Sequence, residues 1–494
     1  METRQYVDLF GLAFCWAMVS TMSTELACFG PKAATSVGGS TVAATSTIGV
    51  FLLGTALISL PSSWMFRTCG RRVAFLVAVV LAGSSAVLGA AALDARSPAL
   101  LLVACFVLGL NQGLGQFYRF AAVEVCGADE NKPFAVSLVL SGAVVAAFAG
   151  PQMAIYTAGA LRPEYVASFY GILGLTVLNA FAIPCIRFPV LRADAAGGSG
   201  RTLGEIVAVP KFYVAAALAT LANSAMLILM SSVVLEMVCS PRASPGARTT
   251  RVARSLTPPR ASLSLPQADH VGFAYATSIL TLQFHFFSMF FPGFFTGHFV
   301  ARFGLYTVAG AGVLVFWLAS AVLLSGHALW NFAVGMVLCG VGWNFCFSTA
   351  TVMVTDAYES GTDEATRVQG INDFIIFSIS GVSAMFAGLA YDRGGWTAVV
   401  IMSACYQAVL CVVLVALYNL QRREAAAARH DGDGDDDEGG MLQFAMLACG
   451  FCGDGGLDQP GDDAAAAPAP SPCELGVEDR SPLIESRPPE PDGP

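Results

Sequence analysis

Long uncharged stretches alternate with short charged segments along most of this chain. Each stretch holds about 20 apolar or small residues, enough for a helix to cross the hydrocarbon core of a bilayer. Twelve of them predict twelve membrane-spanning helices: Leu9–Phe29 (interrupted by Glu25), Thr41–Ser62, Val73–Leu93, Ala99–Tyr118, Phe134–Tyr156, Tyr165–Ile186, Phe212–Leu235, Val271–Pro292, Leu305–Leu324, Trp330–Thr351, Phe374–Tyr391 and Trp396–Leu417.

The composition agrees with a membrane protein. Only 12% of the 494 residues are charged while 55% are hydrophobic, and a soluble protein needs about a quarter of its residues charged. We therefore predict an all-α polytopic membrane protein with four parts. They are a six-helix bundle at 1–190, a cytosolic linker at 191–210, a second six-helix bundle at 211–423 and a disordered acidic tail at 424–494.

Lys and Arg counts predict the orientation. If the N-terminus is cytosolic, the inner loops hold fourteen of these residues and the outer loops four, so both termini are expected in the cytosol. The segment 240–269 is left out of this count. It carries five arginines on the side predicted to be outside, and its Ser/Pro/Arg composition predicts disorder. It is either an insertion or a docking site for anionic partners.

The tail carries the acidic run "DGDGDDDEGG" and the short sequence "DRSPLI". The latter resembles an acidic dileucine sorting signal (Asp479, Leu483, Ile484), which would bind a sorting adaptor. The protein is thus expected in the plasma membrane or in a vacuolar or endosomal membrane. The 14 cysteines lie mostly inside spans, where they pack as small apolar residues. We expect no metal site, no cofactor and no nucleic-acid partner.

Matching landmarks recur in the two halves, as in many transporters. "RTCGRR" follows the second span and "GHFVARFG" the eighth; "GLNQG" lies in the fourth span and "GVGWN" in the tenth; "SGAVVAAFAG" has its counterpart in "SGVSAMFAG". This order predicts two six-helix pseudo-repeats.

These motifs resemble the major facilitator superfamily. Its hallmark loop reads Gly-x-Leu-Ala-Asp-Arg-x-Gly-Arg-Arg, and Gly70, Arg71 and Arg72 match its end, while Gly297, Arg302 and Gly304 match the second copy. The resemblance covers about residues 5–420 and implies two bundles around a central cavity. "FYRFAA", "HFFSMFFPGFFTGH" and "RVQGINDFIIF" further resemble a bacterial-type branch, some members of which are labelled riboflavin transporters.

One departure from the hallmark loop predicts a gate. The acid of that motif is replaced by Arg67 in the first copy, whereas the start of the eleventh span carries Asp373. We expect Arg67 and Arg71 to face Asp373 across the halves and Glu124 to hold Arg72. Arg302 and Asp356 are the corresponding charges of the second half. The alternative is that the arginines meet lipid phosphates and Asp373 complements its own helix N-terminus.

Polar residues inside the spans are candidates for substrate binding. Gln112, Gln116 and Arg119 share one predicted helix face in the fourth span. Asn344, Ser348 and Thr351 repeat that spacing in the tenth span. In the family that this sequence resembles, the fourth and tenth helices line the central cavity. Arg119 is either an anchor for a carboxylate, phosphate or planar ring or long enough to reach the cytosolic face.

Four further residues have two interpretations each. Glu25 and His285 are candidates for proton coupling, but Glu25 could be hydrated and His285 could bond a neighbouring helix. Tyr118 and Trp343 could stack on an aromatic substrate or simply pack between helices.

No enzyme motif is present, and no phosphate-binding Gly-rich loop indicates ATP hydrolysis. The expected function is ion-coupled secondary active transport of a small organic solute across a membrane by alternating access. Within transport, riboflavin-like vitamin uptake and drug/proton antiport are the alternatives. A non-transporting receptor and a channel are the other classes considered.

Overall fold

The computed structural model describes residues 3–126, 132–188, 205, 210–239, 273–355 and 363–431. Regular structure in these residues is helical, with no strand among them. The helices are α1 (Thr3–Ser36), α2 (Thr41–Thr68), α3 (Gly70–Asp94), α4 (Pro98–Gly115), α5 (Tyr118–Cys126), α6 (Lys132–Thr157), α7 (Val166–Cys185), α8 (Pro210–Cys239), α9 (Tyr275–Phe290), α10 (Gly293–Phe303), α11 (Leu305–Leu324), α12 (Leu329–Thr355) and α13 (Asp363–Asp431).

Twelve membrane spans follow from these helices. Ten helical stretches are long and apolar enough to cross a bilayer, and α9 with α10, bent by 41°, forms an eleventh. One stretch, Arg367–Ala416, has 50 residues and would be about 75 Å long as a straight helix, more than twice the thickness of the hydrocarbon core. It is divided at Gly395, whose backbone is not helical (φ 64°, ψ −158°). The predicted all-α fold with twelve spans is confirmed.

Helix boundaries follow local signals where the chain supplies them. Ser40 caps α2 by accepting from the Ala43 amide, and Ser97 caps α4 by accepting from the Leu100 amide, with Pro98 at the first helical position. Serine satisfies an otherwise free amide there, and proline has no amide hydrogen to lose.

Two predicted boundaries are wrong. The eleventh span begins at Asp363, so Asp373 lies about three turns inside the helix and does not complement its N-terminus. The last helix continues to Asp431, eight residues into the segment predicted to be disordered, because "EAAAARH" consists mostly of strong helix formers. The linker (apart from residue 205 and Pro210), the loop 240–269, Asp356 and the tail from 432, with its adaptor motif, lie outside the described residues.

The two halves approach most closely where α2 lies along the first arm of α13. A Cβ added at Gly49 would stand 2.7 Å from the Gly381 carbonyl oxygen, and one added at Gly381 would stand 2.8 Å from the Gly49 carbonyl oxygen. Gly388 meets Thr45 near one end of the contact, and Gly370 meets Ser59 near the other. Glycine is required in this line because the two backbones nearly touch.

Apolar packing differs between the two sides of the membrane. We call the side on which α1 begins the terminal side and the opposite side the loop side. One core includes loop-side residues of the first half, such as Phe29 and Phe169, and residues along the whole second half, such as Met226 and Val368. On the terminal side, a separate core that includes Phe66 and Phe117 contains first-half residues. The halves are therefore joined by continuous apolar packing mainly on the loop side.

The close contact between α2 and α13 predicts the effect of one added methyl group. Gly49→Ala should destabilise the protein by about 1–3 kcal/mol because the methyl overpacks this contact. Gly174→Ala is the matched control, since a Cβ there meets nothing within 4 Å and alanine favours the helix. Thermal unfolding of the detergent-solubilised protein measures both variants. Equal melting temperatures for the two would contradict the required backbone approach.

Candidate functional site

Gln112 and Trp343 occupy the same position along their spans in the two halves. Each is fourteen residues from the loop-side start of its span, at Pro98 or Leu329, which is about 21 Å along a helix. Val103, nine residues before Gln112, is exposed, and so are the two valines nine residues before and after Trp343, Val334 and Val352. Nine residues correspond to half a rotation of the helix. Both side chains therefore point away from the lipid-facing side of their helices.

The first-half part of this layer consists of uncharged polar groups. The Ser23 hydroxyl on α1 donates to Gln112 Oε1 at 2.6 Å, and the Asn111 amide lies 3.9 Å from the Met22 sulfur. Gln116 is half-buried one turn after Gln112. These contacts tie α4 to α1 and leave Gln116 partly accessible.

The predicted stripe through Gln112, Gln116 and Arg119 is interrupted. Helix α4 ends at Gly115 and α5 begins at Tyr118, with the Phe117 amide bonded to the Leu114 carbonyl in a tighter turn. Arg119 thus follows a local break within the same span, so the spacing of an unbroken helix does not place it on one face with Gln112 and Gln116.

Tyr118 is a core residue, so the stacking interpretation is wrong for it in this structure. Its ring is 1% exposed and stacks on Phe75 at 4.2 Å between ring centroids. Its hydroxyl bonds the side chains of Asn179 and Cys15. The residue packs the terminal-side core and presents no surface to a solute.

The second-half part of the layer is an aromatic surface held by a buried amide. The Trp343 indole N–H donates to Asn223 Oδ1 at 3.0 Å, and the Asn223 amide donates to the Ser380 hydroxyl at 3.0 Å. Trp343 stacks on Phe347 with centroids 4.7 Å apart and planes 17° apart, and Phe290 meets it edge-on. Phe290 packs against both apolar cores, so this aromatic group lies between the halves.

Asn344 has a structural task beside this surface. Its amide donates to the Met289 carbonyl at 2.7 Å and its oxygen accepts from the Thr296 hydroxyl at 2.7 Å. Pro292 breaks the helix between α9 and α10, which leaves carbonyls there without their usual donors. Asn344 satisfies one of them and fixes the bend, whereas Ser348, one turn later, is half-buried.

An ion pair joins the halves near the terminal side. Arg119 Nη2 lies 3.4 Å from Asp373 Oδ2, with side chains 19% and 5% exposed, and the guanidinium lies over the Phe120 ring. Arg119 is three residues from the end of its span and Asp373 six residues inside its own. The two charges meet because they lie at similar depth in the membrane.

The predicted partners of Arg71 and Arg72 are therefore wrong. Arg71, not Arg72, pairs with Glu124 through two hydrogen bonds. Arg71 is the second residue of its span and Glu124 lies two residues beyond the end of its own, so both are at the terminal side. Arg72 donates instead to the Ile186 carbonyl at 2.9 Å. Arg67 is exposed at the end of α2, and Arg302 is exposed with its guanidinium over the Phe303 ring.

The two candidates for proton coupling differ in their surroundings. Glu25 is 0% exposed, and neither carboxylate oxygen has a hydrogen-bond partner among the described residues. Its carboxylate oxygens lie beside Gly171 of α7. His285 is also fully buried, but its Nδ1 bonds the Met336 carbonyl at 2.8 Å. His285 therefore has the interhelical hydrogen bond that a structural histidine would make.

Sequence reasoning missed two contacts in this region. Gln152 of α6 donates to Gln283 of α9 at 2.6 Å, which links the halves away from the terminal side. Asn223 and Ser224 form the polar pair that holds Ser380. The signal that could have indicated them is their polarity within the stretch "TLANSAM" of the seventh span. Within the described part of the chain, no group of three or more His, Cys, Asp or Glu side chains is placed to hold a metal ion.

Known proteins with related sequence and structure are membrane transporters. The family model for the Major Facilitator Superfamily matches residues 252–470. A riboflavin transporter, RfnT of Brucella anthropi, is 29% identical over 389 residues, which cover 78% of this chain and 88% of that protein. The chain is similar to members of the major facilitator superfamily.

Solved structures agree with the superfamily fold. The nucleoside transporter NupG superposes with a TM-score of 0.60 at 12% identity, over 83% of this chain and 100% of that one. The fucose:proton symporter FucP of E. coli gives 0.54 at 16% identity, over 82% and 97%. At these identities the two structures show that the fold is shared.

The pair Arg119–Asp373 predicts a measurable coupling. A double-mutant cycle with Arg119→Gln and Asp373→Asn should give about 1.5–3 kcal/mol in the free energy of unfolding, because both charges are largely desolvated. The control cycle uses Arg162 and Glu164, 2.7 Å apart but with side chains 80% and 51% exposed, and should give less than about 1 kcal/mol. Additive effects of the first two substitutions would show that the pair does not join the halves energetically.

Proposed function

We propose that the chain is a secondary active transporter that binds a small organic solute between its halves and exposes it alternately on each side. The observation that carries this proposal is the layer formed by Gln112 of the first half and Trp343 of the second at the same position along their spans. The cross-half pair Arg119–Asp373 lies between this layer and the terminal side. A solute held at the layer would leave toward that side only after the pair separates.

The solute class is a flat, polar heteroaromatic compound, with riboflavin the first candidate. The stacked Trp343 and Phe347 suit a planar ring, and the amide and hydroxyl groups of Gln112, Gln116 and Ser23 suit its hydrogen-bonding edge. The name of the relative from Brucella anthropi points to the same compound. The described layer holds neutral groups, and Arg119 is already paired, which favours an uncharged solute over an anion.

Transport is proposed to be driven by protons, with the terminal side cytosolic. The excess of Lys and Arg on the terminal side supports the orientation. Glu25 supports the coupling because a buried carboxyl without a partner is most stable when protonated. Opening of the loop side would hydrate Glu25 and let its proton exchange.

Uptake by reconstituted protein tests the proposed function. Liposomes containing the purified full chain should accumulate labelled riboflavin in a saturable manner. Unlabelled lumiflavin should compete because it keeps the planar ring, whereas ribitol should not. Empty liposomes are the first control, and Asp373→Asn is the second, expected to slow turnover while leaving the apparent affinity largely unchanged. Absence of saturable uptake for riboflavin, nucleosides and fucose alike would contradict a transport function for these solutes.

The carboxyl of Glu25 gives a separate prediction. Glu25→Gln should abolish accumulation driven by a pH gradient, since the amide cannot exchange a proton, while solute exchange across the membrane without a gradient continues. Glu236→Gln is the matched control, because that buried carboxylate accepts from the Tyr391 hydroxyl and has no proposed coupling role. Proton-driven accumulation by Glu25→Gln at the wild-type level would exclude Glu25 as the coupling residue.

A further inference from the structure

A buried hydrogen-bond chain connects three helices of the second half behind the aromatic surface. It runs from the Trp343 indole of α12 to the Asn223 amide of α8, then to the Ser380 hydroxyl of α13 and the Ser224 hydroxyl, 3.1 Å further. Asn223, Ser224 and Ser380 are at most 4% exposed. Burying a side-chain amide costs free energy unless both its oxygen and its nitrogen form hydrogen bonds. Both atoms of the Asn223 amide do so here.

This chain fixes the orientation of the Trp343 ring. An indole N–H can only donate, so the amide oxygen of Asn223 must face it, and the amide nitrogen is then directed to Ser380. Rotation of the indole about its side-chain bonds would leave Asn223 Oδ1 without a donor inside the membrane. The ring plane is therefore determined by a residue one helix away.

The exposed part of Trp343 faces the space between the helices. The residue is half-buried, yet it points away from the side of α12 that carries the exposed Val334 and Val352. Phe347 stacks on the indole and Phe290 meets it edge-on. An aromatic surface of fixed plane is thus presented between the halves, at the position along its span that Gln112 occupies in the first half.

We propose that Asn223 is a positioning residue that holds Trp343 as the stacking surface for the planar ring of the solute. This inference rests on the proposed function and adds to it the residue that determines specificity for flat rings. Stacking of a heterocyclic base on an aromatic side chain contributes enough that its loss weakens binding about 5- to 150-fold. The same surface offers little to a non-aromatic sugar.

Flavin fluorescence tests the stacking directly, because an indole stacked on an isoalloxazine ring quenches its emission. Riboflavin titrated with the purified full chain should be quenched at saturation. Trp343→Phe should keep a ring but lose most of the quenching and bind at least about five-fold more weakly. Trp317→Phe is the matched control, because this exposed tryptophan donates to the Cys411 sulfur. Its removal should change neither the quenching at saturation nor the affinity for riboflavin.

Variants of the hydrogen-bond chain test the role of Asn223. Asn223→Ala should reduce the quenching at saturation, because the unrestrained indole no longer lies parallel to the bound ring. Asn223→Asp in its neutral form can still accept from the indole and donate to Ser380, so it should restore most of the quenching. A merely structural role would lower the fraction of protein that binds but not the quenching for each bound flavin.

The outcomes separate this inference from the proposed function. Undiminished quenching at saturation in Trp343→Phe or in Asn223→Ala would overturn the inference while leaving transport intact. Binding of fucose with no binding of riboflavin or adenosine would overturn it as well. Quenching that depends on both residues, combined with no uptake by liposomes, would support the stacking site and overturn the transport proposal.

Discussion

A polar group inside the hydrocarbon core must find its hydrogen-bond partner within the protein, because the lipid supplies none. The arrangement of the second half follows from this constraint. Asn344 bonds the carbonyl freed at the bend before α10, His285 bonds the Met336 carbonyl, and Asn223 bonds both Trp343 and Ser380. Each of these bonds joins two helices, so the polar residues of the spans determine which helices are held together and at what level.

The contact between the halves is strong along one line and on one side. The glycines of α2 and α13 bring two backbones together along the length of the contact, and the loop-side core is continuous across the halves. On the terminal side the first half has a core of its own, and the described links there are the approach of Gly370 to Ser59 and the pair Arg119–Asp373. An ion pair is worth a few kcal/mol at most, less than the burial of several large apolar side chains. Separation of the halves therefore costs less on the terminal side.

The sequence allowed the twelve spans to be predicted, because the absence of charge over about 20 residues is a property of composition alone. It also indicated Gln112, Trp343 and Glu25, since polar or amphipathic residues stand out in such stretches. It did not predict the charge partners. Arg119 and Asp373 pair because they lie at the same depth, and that depth depends on the break at Gly115 and on the start of α13 at Asp363. Neither is apparent from residue spacing, which assumes an unbroken helix.

The pairing of Arg119 also changes what the central layer can recognise. From spacing alone this arginine would attract an anion, but Asp373 already neutralises it, and an anionic solute would have to displace that carboxylate. Around Gln112 and Trp343 the described groups are neutral amides, hydroxyls and aromatic rings. A site that hydrogen-bonds its ligand rejects analogues lacking those groups strongly, because its buried polar atoms are left unpaired. Selection at the proposed site would then come from shape and hydrogen bonding, and the charged pair would be left free to respond to the separation of the halves.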